Sequence, residues 1–232
     1  MAYGIGFKAT TTFTATGLPV LPHALPIAPS KRFLVGNGME HGNPDLPLQV
    51  TGWSDLSGAT KLTAPTGKNP PALSTINDRK VIRFNGTSST LAANLPMTRP
   101  HSVAAVFWLG ALPAEGFATI LGGRDAWLSA ADGGYVNGNA GGSNGNMGTI
   151  AVGWHSIVAS FDGTTTTVRL DGTEVTRDIG QGARTTLTLG GTGASIGYEA
   201  TIAYAEVALW GRSLSATDRA ATETALRTHW GL

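Results

Sequence analysis

Residues 155–177 read HSIVASF-DG-TTTTVRL-DG-TEVTR, and this stretch decides the fold. Ile157, Ala159 and Phe161 alternate with smaller or polar residues, the period-2 pattern of a half-buried strand. Asp162-Gly163 and Asp171-Gly172 stand nine residues apart between β-rich runs. An Asp-Gly pair in that setting is a strong hairpin signal, because a type I′ turn needs φ > 0 at both central residues. Three strands in a meander are therefore expected. Outward from it, Val81–Phe84 leads into Asn85-Gly86, and Ser102–Leu109 (SVAAVFWL) is apolar on both faces, as a central strand would be. Thr185–Leu189, Ser195–Tyr198 and Ile202–Trp210 add further strands. Short strands at regular spacing with turn signals indicate an all-β, antiparallel two-sheet sandwich.

One helix is expected, at the end. Ser215 can cap it with Asp218 at the third helical position, Leu226 and Trp230 recur on its inner face, and Gly231 stops it.

Composition narrows the function. The 232 residues carry 16 basic and 15 acidic side chains, a net charge of +1, and no basic stripe offers a nucleic-acid footprint. The absence of cysteine excludes disulfides, thiolate metal sites and cysteine nucleophiles. No run of about 18 apolar residues is present, so no membrane span is expected. The start of the chain lacks the basic and apolar regions of a signal peptide.

Residues 1–46 differ in texture. Pro19, Pro22, Pro26, Pro29 and Pro44 exclude a helix or a central strand, while Leu18, Val20, Leu21, Leu25 and Ile27 are too apolar for a free linker. They read as an extended arm that docks on a partner or packs irregularly on its own fold, with the main domain spanning 47–232.

Trp53-Ser-Asp55-Leu-Ser57-Gly58, Pro71-Ala-Leu73 and Lys80–Gly86 resemble the opening of bacterial and phage laminin-G-like, concanavalin-A-like domains. Gly153–Gly172, Ala203–Leu209 and the closing Arg212–Ser215 with Trp230-Gly231 continue the resemblance over about residues 48–232. It implies a jelly roll whose members bind carbohydrate or serve as structural modules. The missing signal peptide and the arm then lead to an expected non-enzymatic virion component, a phage tail, baseplate or capsid-decorating protein. Its arm would hold neighbouring subunits in a homo-oligomer or larger assembly, and its loops would meet host glycans. The alternative is a soluble carbohydrate-active enzyme or its carbohydrate-binding module.

Motifs for chemistry are sparse. The five histidines are scattered, with no His-x-x-x-His pair. The glycine-rich run 190–197 lacks the Gly-Lys-Ser/Thr ending of a phosphate loop and reads as a turn. No strand carries the Glu-x-Asp-x-x-Glu pattern of the retaining glucanases that share the jelly roll, which disfavours hydrolysis. Trp154 reads as core. Asp55 and Ser57 read as turn formers ahead of metal ligands. Glu206, out of phase with Val207 and Leu209, should face the other sheet surface or solvent.

The segment 124–148 is read as a long loop. Asp125, Asp132, Asn137, Asn139 and Asn144 offer oxygen and amide groups suited to sugar hydroxyls, and Trp127 or Tyr135 could stack on a pyranose face. These seven are the candidate carbohydrate ligands. No cofactor is expected, although the same oxygens would suit calcium. The competing reading is that Asn and Gly here only make turns.

Overall fold

The computed structural model describes residues 23–41, 48–123, 126–142, 144–191 and 200–232. Their antiparallel strands fall into three sheets. The largest runs β15 (Thr173–Asp178), β14 (Thr165–Leu170), β13 (Gly153–Asp162), β8 (His101–Leu109), β17 (Ile202–Trp210), β6 (Arg79–Arg83) and β5 (Ala72–Ile76), with β1 (Lys31–Leu34) also against β17. A second runs β12 (Gly145–Thr149), β11 (Tyr135–Asn139), β10 (Trp127–Ala131) and β9 (Phe117–Leu121). The third runs β16 (Arg184–Leu189), β7 (Leu91–Met97), β4 (Lys61–Thr63), β3 (Val50–Ser54) and β2 (Met39–His41).

Among the described residues the two smaller sheets meet edge to edge at a single bridge, Gly122 to Thr188, closed by reciprocal backbone hydrogen bonds of 2.9 and 3.0 Å. They act as one broken layer against the larger sheet. The expected all-β sandwich is thus present, with its second layer split at a seam.

The meander that decided the fold is β13–β15. Asp171 and Gly172 both have φ > 0, at 47° and 89°, as a type I′ turn requires. The first hairpin differs. Asp162 pairs with Thr165, so the turn is Gly163-Thr164, with the glycine alone at φ 54°. Ile157, Ala159 and Phe161 point into the core and are fully buried. The core also takes Phe33, Trp53, Phe84, Phe107 and Tyr204. Gly190 shows how tightly the layers meet, since a Cβ there would lie 2.0 Å from Phe84 Cδ1.

The helix α1 (Ala216–Trp230) lies on the outer face of the large sheet against β8, β13 and β14. Ser215 Oγ accepts from Asp218 N at 3.1 Å, and Gly231 closes the other end in the left-handed region. Leu226 and Trp230 face the sheet as expected. Glu206 projects from β17 towards this helix, not to solvent. Its carboxylate accepts from Arg32 Nε at 2.7 Å and from Trp230 Nε1 at 2.9 Å. Burial pushes that carboxyl above the usual range, against the pull of Arg32 and Trp230.

The boundary drawn at 46/47 does not hold. Lys31–Leu34 pairs with Glu206–Leu209, Met39–His41 pairs with Val50–Trp53, and Phe33, Leu34 and Val35 are fully buried. Residues 23–41 belong to the sandwich. The rest of the expected arm, 1–22, lies outside the described residues, as do 42–47.

Candidate functional site

The segment expected as a loop is mostly sheet. Three strands, β10 to β12, occupy residues 127–149, so Asn137 and Asn139 are strand residues and not turn residues. The glycines that argued for turns do sit at the hairpin ends, with Gly134 and Gly141 at positive φ. Between them the chain alternates. Leu128, Ala130 and Val136 point to the core, and Trp127, Ser129, Tyr135, Asn137 and Asn139 share the opposite face.

Across that outer face the register aligns a polar row: Thr119 on β9 opposes Ser129, Ser129 opposes Asn137, and Asn137 opposes Asn146 on β12. Thr119, Ser129 and Asn137 are buried and Asn146 is exposed. Among the described residues Thr119 Oγ1 and Asn137 Nδ2 have no hydrogen-bond partner. Buried polar atoms are nearly always paired, so two unpaired ones, on the strands either side of β10, set this row apart from an ordinary interior. Trp127 and Tyr135 stand half-buried at opposite ends of the β10–β11 hairpin, about 13 Å apart by strand rise.

The seven candidate ligands divide. Trp127, Tyr135 and Asn137 come together on this face. Asn139 instead builds the hairpin turn: its Nδ2 donates to Gly142 O at 3.1 Å and Asn144 Oδ1 at 2.8 Å, and its Oδ1 accepts from Gly141 N. Asn144 is exposed at that turn. Asp132 is exposed in the opposite turn, where its carboxylate accepts from Gly116 N and Gly133 N. Asp125 lies outside the described residues. Thr119 and Ser129 were missed, although their spacing of two from Phe117 and Trp127 carries the signal.

Other polar clusters hold the fold. Asp55 accepts from Ser57 Oγ and Thr60 N and pairs with Lys31 at 3.2 Å. Glu223 on the helix accepts from Arg169 Nε at 2.6 Å, Gly172 N at 2.8 Å and Ser156 Oγ at 3.1 Å. His155 and Asp171 are 2.6 Å apart, but the second ring nitrogen meets Ala151 O and not the Ser156 hydroxyl. No nucleophile–base pair forms there. Trp154 is half-buried on the helix side of the sheet beneath the Arg79 guanidinium, 5.3 Å from its ring centroid. It is not the core residue expected. Among the described residues no group of three or more acidic or histidine side chains is placed to hold a metal, and no helix is long and apolar enough to cross a membrane.

The same fold recurs in solved proteins of low identity. Trypanosoma rangeli sialidase in complex with sialic acid is 15% identical, with a TM-score of 0.61 over 90% of this chain and 35% of the sialidase chain. Domain 4 of AbnA, a GH43 extracellular arabinanase from Geobacillus stearothermophilus, solved in complex with arabinotriose, is 17% identical, with a TM-score of 0.54 over 73% of this chain and 92% of that domain. The chain spans about a third of the sialidase chain's length. No family model matches it, and no curated protein matches it in sequence. This company overturns the expected non-enzymatic virion component. The fold on which that reading rested is found in a sialidase and in a domain of an arabinanase, so it gives a virion role no support.

Proposed function

We propose that this chain is the saccharide-binding sandwich of a carbohydrate-active enzyme, and that it takes its ligand on the outer face of β9–β12. The observation that carries the reading is the in-register row Thr119–Ser129–Asn137 with two buried, unpaired polar atoms, continued by the exposed Asn146 and bracketed by the half-buried Trp127 and Tyr135. Amide and hydroxyl groups pair with sugar hydroxyls, and an aromatic ring offers its face to the apolar side of a sugar ring. The arabinotriose complex of a domain with this fold supports the ligand class.

Titration calorimetry against arabino-oligosaccharides, sialyllactose and a panel of neutral oligosaccharides tests it. Binding by the unaltered protein should weaken at least tenfold in Trp127→Ala and in Asn137→Ala, with circular dichroism unchanged. No binding across the panel, or equal binding by both variants, would overturn the assignment.

A further inference from the structure

Arg184, at the start of β16, is fully buried. Its Nη1 donates to Gly122 O at the seam between the two smaller sheets. Among the described residues its Nε and Nη2 have no hydrogen-bond partner. These two nitrogens form one edge of the guanidinium, the edge whose parallel N–H groups match the two oxygens of a carboxylate. Among the described residues no acidic side chain makes an ion pair with Arg184. Burial alone draws its pKa down to about 10, so it still carries its charge at neutral pH.

The surroundings are cationic and poor in acceptors. The Arg99 guanidinium lies 5.4 Å and that of Arg184 5.7 Å from the Phe161 ring centroid, and His101 stacks on the same ring at 4.8 Å. Arg99 is half-buried, with Nη2 also unpartnered, and the negative charges of Asp162 and Asp178 act on it. Beside Gly122 the Thr188 hydroxyl is buried and unpaired. A dehydrated guanidinium with an open fork is strongly unfavourable without a counter-charge.

We infer that the seam between the two smaller sheets is a binding site for one small carboxylate, held side-on by Nε and Nη2 of Arg184. The proposal rests on Arg184 and not on the saccharide reading, and stands whether or not the β9–β12 face binds sugar. Its occupant would lock the point where the second layer is held by a single bridge.

The test is thermal unfolding of the full chain at constant ionic strength, with formate or acetate exchanged for fluoride. Saturable occupancy should raise the midpoint by roughly 5 °C at a hundredfold excess over Kd. Arg184→Met, which keeps the length of the side chain and removes the charge, should lose that rise and should unfold at a higher temperature than the unaltered protein in the carboxylate-free buffer. A midpoint indifferent to formate and acetate would overturn the proposal, as would an equal rise in Arg184→Met. Should that variant not fold, crystals of the unaltered protein soaked in formate give the reading. Planar density bonded to both nitrogens supports the site, and its absence at full Arg184 order overturns it.

Discussion

His101 shows what one buried side chain does to the whole stability curve. It is fully buried against Phe161, and burial, followed by the charges of Arg184 and Arg99, pushes its imidazole from 6.5 down to about 3, against the pull of the Thr98 carbonyl. The unfolded chain takes up a proton there below pH 6.5 and the native protein does not. The associated stability is complete above about pH 6.5 and is lost as the pH falls towards 3. Between pH 7.5 and 5 this amounts to about 2 kcal/mol. His23, pushed down to about 4 by burial and then by Arg32 and His229, adds to the same slope. Urea unfolding at the two pH values should therefore show a drop that shrinks in His101→Gln; an identical drop in the variant would rule this residue out as its source. None of this was legible in the sequence, because a histidine in a strand looks the same whether it faces water or a phenyl ring. Asn85 was more transparent. Its Oδ1 accepts from the backbone of Thr87, Ser88 and Ser89, the local bonding that an Asn-Gly pair announces.

Elements were readable where a short-range rule sets them. The capped helix and the Asp171-Gly172 hairpin are local, so the residues that form them also announce them. Strands β10 to β12 were not, because their asparagines and glycines belong equally to turns. Only pairing with β9 and the burial of Leu128 and Val136 decides for sheet. The helix is likewise placed by long-range contacts that its pattern does not contain. Glu223 is buried within it and ties Arg169, Ser156 and Gly172 to its inner face. Removing this buried carboxylate leaves the half-buried Arg169 guanidinium, the Gly172 N–H and the buried Ser156 hydroxyl short of their partner, so Glu223→Ala should cost about 3 kcal/mol or more. Ser215→Ala, which deletes the cap alone, should cost about 1 kcal/mol. Chemical denaturation of both variants checks the order. A larger loss from the cap than from Glu223 would mean that the helix is held by its own termini and not by the sheet.

For the molecule as a whole, the decisive strand is one that the prolines concealed. Pro29 and Pro44 bracket β1, and proline does exclude a central strand where it stands, but residues 31–34 between them are free to pair. They run beside β17, the strand that also holds β8 and β6, so the N-terminal part of the described chain closes the large sheet instead of leaving it. Deleting residues 1–35 would uncover that edge and remove Phe33, Leu34 and Val35 from the core. Each such side chain is worth roughly 1.5–3 kcal/mol of burial. The deletion would also strip Glu206 of Arg32, leaving a buried carboxylate with only the Trp230 indole and His23 gone with the segment. Together these losses match the whole stability of an ordinary domain, about 5–15 kcal/mol. The truncated protein should therefore lose cooperative unfolding, and Arg32→Ala alone should lower stability by about 3 kcal/mol. A truncated chain that still melted sharply, at the temperature of the full one, would return these residues to the role of a detachable arm.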